Sequence, residues 1–294
     1  MSGTAVVGTR RGPFVATLSM IKFQHTVFAL PFAFIGAILA TPAWPTVRQA
    51  AWILLAMVGA RSAAMVWNRI ADLEIDRRNP RTASRPLVTG ELSLPFAWSF
   101  LIGSLGLFFL SAAQLNRLAF LLSPLAAAII LSYSHAKRVT WLTHLHLGIS
   151  LSLAPIGAWI GVAGRIDATP LILGAAVMLW VAGFDVLYAC QDVPFDRAHG
   201  LQSIPSRFGI RGALAISSGL HAVTVALLLA AGWTSPLGVA WLVGVLVTAA
   251  LLVYEHRLVR PDDLSRLNAA FFTVNGAVSF VLLLAVIAGR GLSS

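Results

Sequence analysis

The sequence predicts an all-α polytopic membrane protein with nine transmembrane helices around a central cavity. Hydrophobic residues make up 58% of the 294 residues and charged residues only 11%, and the mean hydropathy is +0.83. These values lie far outside the range of soluble domains. Nine apolar runs are each long enough to cross a bilayer, or nearly so. The runs cover residues 23–40, 48–67, 95–113, 117–134, 145–163, 170–190, 211–232, 236–254 and 268–289.

The positive charge is distributed unevenly between the connections of these runs. When alternate connections are assigned to opposite sides of a membrane, 16 of the 21 Lys and Arg residues fall on one side. Because the side richer in Lys and Arg usually faces the cytoplasm, we expect this side and the N-terminus to be cytoplasmic. The protein is then integral to the cell's inner or plasma membrane, with the lipid bilayer as its surroundings. A nucleic-acid partner is not expected, since the chain has no basic soluble module.

A pattern of polar residues at helical spacing occurs twice, with an offset of 120 residues. The two copies read Asn68-xxx-Asp72-xxx-Asp76 and Tyr188-xxx-Asp192-xxx-Asp196. The chain has 11 Asp and Glu residues, and four of them lie in these copies. Acidic residues at the ends of apolar runs are costly in a membrane protein, which favours a functional role.

The offset predicts an internal duplication within a single integral-membrane domain that spans 1–294. The first repeat covers about 14–134, the second about 141–256, and a last helix covers about 268–289. Four helices per repeat is an even number, so the repeats run parallel and both acidic motifs fall on the same face. A cavity between two helical bundles follows from this arrangement.

The first motif combines ligands for a metal with groups that bind phosphate. Asn68, Asp72 and Asp76 line one stripe if the helix continues through them, because residues four apart share a face. Mg²⁺ prefers a few carboxylates together with waters and substrate phosphates. Arg81 and Arg85 follow in the next connection, and Arg forks match phosphate oxygens well. The sequence therefore predicts a site for Mg²⁺ and a diphosphate, with a solvated helix end held by Asp–Arg pairs as the alternative.

The second motif extends deeper into its apolar run. Asp185 precedes Tyr188 by three residues and lies inside the predicted span, where a charged group needs a metal, a cation or a polar cavity. Arg61 also lies inside its predicted span, seven residues before Asn68 and therefore on the same helix face. Arg61 is therefore a candidate partner of Asp185, and a purely structural Arg61–Asp185 ion pair is the alternative to a catalytic role.

Further polar residues lie beside the spans on the same face. Lys22 and Lys137 are candidates for neutralising a diphosphate, although Lys137 and Arg138 would also serve as a topology signal. His144 and His146 are two residues apart and do not share a helix face. We therefore interpret them as polar residues at helix interfaces and not as metal ligands.

These motifs together resemble the UbiA superfamily of intramembrane prenyltransferases. The resemblance rests on Asn68-xxx-Asp72-xxx-Asp76, Asn79-Pro-Arg81-Thr-xx-Arg85, Tyr133-Ser-xx-Lys137-Arg138 and Tyr188-xxx-Asp192-xxx-Asp196, and it covers nearly the whole chain. The segments that begin at Lys22 and Gly59 further resemble the 4-hydroxybenzoate polyprenyltransferase branch. That branch includes relatives thought to prenylate a dihydroxynaphthoate in the futalosine route to menaquinone.

The resemblance implies a nine-span fold and a role for each candidate residue. Metal ligands would be Asp72, Asp76, Asp192 and Asp196; diphosphate would be bound by Asn68, Lys22, Arg81, Arg85 and Lys137; Asp185, Arg61 and Tyr188 would lie near the reacting carbons.

The implied reaction is the Mg²⁺-dependent transfer of a polyprenyl group from a polyprenyl diphosphate to the ring of an aromatic acid. The acid would be 4-hydroxybenzoate or 1,4-dihydroxy-6-naphthoate, in ubiquinone or menaquinone biosynthesis. The same fold prenylating a chlorin or haem is an alternative. An ion-coupled transporter, which also has parallel repeats and buried acids, is a less favoured alternative. It needs a polar route across the membrane, and only Arg61 and Asp185 approach the midplane.

Overall fold

The computed structural model describes residues 12–21, 26–235 and 237–293, and this part of the chain is almost entirely helical. The α-helices are α1 (Pro13–Met20), α2 (Thr26–Leu39), α3 (Val47–Ala71), α4 (Leu73–Arg78), α5 (Pro86–Thr89), α6 (Leu94–Leu115), α7 (Arg117–Ser132), α8 (Ala136–Val139), α9 (Thr143–Ala163), α10 (Ala168–Ala189), α11 (Val193–Ala198), α12 (Ile204–Trp233), α13 (Gly238–Leu258), α14 (Leu267–Ala269) and α15 (Asn275–Ser293). Short 3₁₀ turns precede α8 and α11, and a π-helical turn spans Ala270–Val274. An isolated bridge between Arg260 and Asp263 is the only β pairing in these ranges.

Eight helices in the described ranges are long and apolar enough to cross a membrane. They are Val47–Ala71, Leu94–Leu115, Arg117–Val139, Thr143–Ala163, Ala168–Ala198, Ile204–Trp233, Gly238–Leu258 and Leu267–Leu292. The first predicted span corresponds to α2, which has 14 residues. That length gives about 21 Å, shorter than a hydrocarbon core of about 30 Å. The all-helical membrane fold is confirmed, whereas the count of nine spans stays a prediction.

Polar side chains define where several of the long helices begin. Thr46 caps α3 in a reciprocal capping box with Gln49, which satisfies two backbone donors that a helix start leaves free. Asn116 accepts a hydrogen bond from the backbone N–H of Ala119 at the start of α7. Its amide nitrogen also donates to the carbonyl of Ile160 at 2.7 Å. One side chain therefore caps α7 and ties it to the last turn of α9.

The main apolar core lies in the second half of the chain, where α10 packs against α9 and α12. Phe32 from α2 reaches this core and lies 5.0 Å from Trp180, measured between ring centroids. At Gly148 of α9 the backbone approaches α10 so closely that a Cβ atom would overlap the Met178 carbonyl oxygen. Small residues at such contacts allow helices to pack closely inside a membrane.

Both acidic motifs lie where a long helix gives way to a short one. The helix α3 ends at Ala71, and Asp72 adopts φ −96° and ψ 8° before α4 begins. Asp192 adopts φ −94° and ψ 0° just before α11. Both residues lie in the sparsely populated bridge region, which is typical of active-site residues. The condition for a single stripe, a helix that continues through the first motif, is therefore not met, because each motif bends at its central Asp.

The two short helices correspond in position, since both ends of α11 lie 120 residues after the matching ends of α4. This local correspondence agrees with an internal repeat around the acidic motifs. The duplication of complete four-helix units, and the repeat boundaries at about 14–134 and 141–256, stay predictions.

We predict that Gly148→Ala destabilises the bundle by about 1–3 kcal/mol, because the added methyl group forces α9 and α10 apart. Gly157→Ala in the same helix is the matched control, since a Cβ there meets nothing within 4 Å. Alanine at such an open position is expected to be neutral or stabilising by up to about 1 kcal/mol. Thermal unfolding of the two variants in detergent measures the difference, and equal melting temperatures would contradict this account of the helix contact.

Candidate active site

A cavity of about 590 Å³ lies between the two halves of the bundle. Its wall is apolar over most of its length, where α3, α6, α7 and α9 contribute Leu, Ile, Ala and Met side chains. Charged residues gather at one end, where the connections after α3, α7 and α10 meet. These charged residues are Arg69, Asp72, Asp76, Arg81, Arg85, Lys137, Arg138, Asp192 and Asp196.

The first acidic motif is held by cations from two connections. The Asn68 amide donates to one Asp72 carboxylate oxygen at 2.8 Å, and Arg138 donates to the other at 3.0 Å. Burial raises the pKa of the Asp72 carboxyl above its ordinary value, and the hydrogen bond from Arg138 opposes that rise. Asp76 is 5% exposed; Arg85 hydrogen-bonds to it, and the Arg69 Nη1 lies 3.8 Å away.

The second acidic motif is held by cations from the first half of the chain. Arg81 donates from Nε and Nη2 to the two oxygens of Asp192, both at 2.9 Å. This fork-to-fork pair joins residues 111 positions apart and is the strongest kind of charge-assisted contact. Asp196 accepts a hydrogen bond from Ser203 at 3.1 Å and lies 3.6 Å from the Lys137 Nζ.

Each of the four motif carboxylates is therefore paired with a cation. Arg81, Arg85 and Lys137, the predicted phosphate-binding residues, are among these cations, and their binding of phosphate stays a prediction. Sequence reasoning missed Arg69 and treated Arg138 only as a topology signal. The sequence feature that could have identified them is their position: Arg69 follows Asn68 directly, and Arg138 follows Lys137 directly. Lys22 lies outside the described residues.

The donors in this end of the cavity fit Mg²⁺ bound together with a phosphate. Carboxylate oxygens are the ligands that Mg²⁺ takes from proteins, usually one or two, with waters and phosphate oxygens completing the shell. Among the described residues, no three His, Cys, Asp or Glu side chains are close enough to hold a metal alone. The carboxylates at this end could therefore hold Mg²⁺ together with phosphate oxygens and waters.

Asp185 is paired with His144, which corrects the expected Arg61–Asp185 partnership. The Asp185 Oδ2 lies 2.7 Å from the His144 Nδ1, and His144 has no exposed surface. The backbone N–H of Ile204 points at the His144 Nε2, 3.3 Å away. Because that nitrogen accepts, the ring proton belongs on Nδ1, which donates to Asp185. The sequence places His144 at a helix interface, but it does not show that α10 faces it.

Arg61 lies on α3 in the wall of the cavity. Its Nε is buried without a hydrogen-bond partner in the described ranges, and no ion pair there joins it to Asp185. A buried guanidinium donor facing a cavity is a ready binding group for an anion. Arg61 therefore remains a candidate ligand for an acidic substrate group.

Tyr188 contributes an aromatic face near the charged end. Its ring centroid lies 4.3 Å from that of Phe271, with the two planes inclined at 35°. Phe184 lies 5.2 Å from Phe271 in an edge-to-face arrangement. The three rings line the same cavity as Asp185. Aromatic faces are attractive to cations.

Fold and site together define an all-helical membrane protein with a cavity that is charged at one end and apolar along its length. The sequence profile of the UbiA prenyltransferase family matches residues 29–284. The chain belongs to this family, and it is a prenyltransferase related to the 4-hydroxybenzoate polyprenyltransferases. The family assignment favours an enzyme over the ion-coupled transporter.

Individual relatives agree with the family assignment. The chain is 35% identical over 246 residues to a 4-hydroxybenzoate octaprenyltransferase of Xanthomonas euvesicatoria pv. vesicatoria, a match that covers 81% of each protein. It is 42% identical to a UbiA homolog of Aeropyrum pernix K1 in its apo structure, with a TM-score of 0.82 over 90% of this chain and 97% of that one.

A more distant structure shares the fold. A UbiA homolog of Archaeoglobus fulgidus, bound to DMAPP and Mg²⁺, is 23% identical, with a TM-score of 0.76 over 94% of this chain and 99% of that one.

We predict that Arg81→Lys lowers kcat/KM for prenyl transfer by about tenfold, because a lysine cannot make both bonds of the fork. Arg78→Lys is the matched control, since Arg78 is an exposed residue at the end of α4. Steady-state kinetics of the purified variants measure the effect. An Arg81→Lys enzyme with the kinetics of the Arg78→Lys control would show that the paired geometry is dispensable.

Proposed function

We propose that the protein transfers a polyprenyl group from a polyprenyl diphosphate to a ring carbon of an aromatic acid, with Mg²⁺, in quinone biosynthesis. The observation that carries the proposal is the meeting of both Asp motifs with five cations at the charged end of an otherwise apolar cavity. The related 4-hydroxybenzoate octaprenyltransferase supports an aromatic acid as acceptor. The two candidate acceptors are 4-hydroxybenzoate and 1,4-dihydroxy-6-naphthoate.

The cations at the charged end are arranged to receive a diphosphate. Arg81 is about one-third exposed, as are Lys137 and Arg138. Because these three side chains are partly exposed, they can turn from their carboxylates toward phosphate oxygens without creating an empty space in the protein interior. When bound, Mg²⁺ would supply positive charge to the Asp carboxylates and to the departing diphosphate. The Arg and Lys partners of the carboxylates would then bind phosphate oxygens, and the charge of Mg²⁺ would neutralise the carboxylates in their place.

The aromatic rings above this end protect the allylic carbon. Loss of diphosphate breaks a C–O bond and leaves positive charge on the prenyl group. Tyr188, Phe271 and Phe184 offer ring faces and edges to that charge and leave little room for water. The apolar remainder of the cavity suits the isoprenoid tail.

The acceptor would be held and activated by Arg61 and Asp185. The Arg61 guanidinium, whose Nε has no hydrogen-bond partner among the described residues, binds the carboxylate of the aromatic acid. His144 holds one oxygen of Asp185, and the other oxygen faces the acceptor and receives its phenolic proton. The ring carbon forms the new C–C bond as the C–O bond to diphosphate breaks. Its own proton then leaves to the diphosphate or to water, which restores aromaticity, and Asp185 returns the phenolic proton to the product oxygen.

The charged connections would lie on the cytoplasmic side of an inner or plasma membrane. Support comes from the excess of Lys and Arg on this side of the bundle. Diphosphate and aromatic acid are both water-soluble at their charged ends, and they would enter from that side.

We expect purified protein with Mg²⁺ and a polyprenyl diphosphate to prenylate one of the two acids when both are supplied in parallel. Mass analysis of the products identifies the acceptor. Asp192→Asn should lower the rate by about 100-fold or more, because it removes a carboxylate that the metal and Arg81 share. Glu74→Gln is the control, since Glu74 is exposed and pairs only with Arg77 among the described residues.

Formation of prenylated product at the wild-type rate by Asp192→Asn would contradict the two-motif site. Absence of a Mg²⁺-dependent product from either acid would contradict the proposed acceptor class. The family assignment would stand, and a chlorin or haem acceptor would then be tested with the same assay.

A further inference from the structure

A second group of buried polar residues lies in the other half of the bundle and has no part in the reaction described so far. Glu255 of α13 and Asn275 of α15 are both completely buried. Trp180 of α10 and His221 of α12 complete the group. Polar side chains inside membrane-spanning helices are costly and usually functional.

The contacts of Asn275 fix the orientation of its amide. The Trp180 Nε1 donates to the Asn275 Oδ1 at 2.8 Å, and an indole nitrogen can only donate. The amide nitrogen must therefore face the opposite way, toward Glu255. There it donates to the Glu255 Oε1 at 2.7 Å.

The same amide nitrogen reaches the π-helical turn Ala270–Val274. It lies 3.3 Å from the carbonyl oxygen of Ala270 and 3.2 Å from that of Phe271. A π turn disturbs the regular backbone hydrogen bonds of a helix, and such turns occur frequently at functional sites. A side-chain donor aimed at both carbonyls stabilises the turn in its present shape.

The shape of this turn sets the position of the Phe271 ring. Phe271 packs against Tyr188 and Phe184, and all three line the cavity beside Asp185. Asn275 is therefore linked to the cavity wall through few contacts. Its amide hydrogen-bonds to the carbonyls of Ala270 and Phe271, which stabilises the π turn. The π turn in turn places the Phe271 ring against Tyr188.

We propose that Asn275 is a positioning residue that holds Phe271 in the cavity wall and thereby directs the activated prenyl group to the acceptor instead of to water. The proposal rests on the proposed function. Capture by water breaks the same C–O bond to diphosphate, forms a C–O bond to water and releases a proton, which yields a prenyl alcohol. A displaced ring would both uncover the positive carbon and admit water.

The test is the ratio of prenyl alcohol to prenylated acceptor, measured with Mg²⁺, a polyprenyl diphosphate and the acceptor that the wild-type enzyme uses. Asn275→Ala and Phe271→Leu should each raise the ratio by about fivefold to tenfold, the scale of one lost ring–cation contact. Ser279→Ala, a truncation of another buried polar residue on α15, is the control and should leave the ratio unchanged.

The double variant distinguishes positioning from general loosening of the bundle. If Asn275 acts through the ring, Asn275→Ala adds nothing once Phe271 is Leu, so the double variant matches Phe271→Leu alone. Glu255→Gln keeps an oxygen acceptor for the amide and should keep the wild-type ratio. Should Asn275→Ala fail to fold, Asn275→Ser takes its place, because its short hydroxyl cannot reach both carbonyls.

Two results would overturn the proposal while the proposed function stands: a wild-type ratio in Asn275→Ala, or a double variant whose effect is the product of the single effects. A wild-type enzyme that forms no prenylated acceptor would overturn the proposed function, and this proposal with it.

Discussion

The arrangement of the charged end of the cavity depends on the pairing of four motif carboxylates with Arg and Lys side chains at the end of an apolar bundle. An unpaired carboxylate in such a place is strongly unfavourable, and removing one member of a buried pair costs several kcal/mol. The chain meets this demand with Arg and Lys residues from connections that are distant in sequence. The Arg81–Asp192 fork is the clearest case, because it links the connection after α3 to the turn after α10.

The cations in these pairs also suit the proposed substrate. Arg and Lys neutralise the carboxylates in the present arrangement, and they are also the groups that a diphosphate requires. On the proposed mechanism, Arg81, Lys137 and Arg138 turn from the carboxylates to the diphosphate, and the carboxylates would then hold Mg²⁺. The bend at Asp72 and the matching one at Asp192 direct the side chains into the cavity, where a straight helix would leave them along one stripe.

Much of this arrangement is predictable from sequence because membrane helices leave strong signals. Apolar length predicts the spans, and polar residues in an apolar chain stand out. The spacing of Asp72 and Asp192 from their neighbours identifies both motifs. The partnership of Asp185 with His144 could not be predicted in this way. It depends on how α9, α10 and α12 pack, and periodicity does not specify which helix faces which. Asn275 left no pattern either, since its role follows from a π turn that single-sequence periodicity does not reveal.

The most direct test of the partner exchange is the binding of an unreactive prenyl diphosphate analogue to the purified protein, in Mg²⁺ and in EDTA. If metal and diphosphate must displace the ion pairs together, each raises the affinity of the other. The account predicts that the analogue binds at least about tenfold more weakly in EDTA, a coupling within the usual range between linked ligands. Equal affinity in Mg²⁺ and EDTA would show that the carboxylates keep their Arg and Lys partners, and it would contradict the central claim.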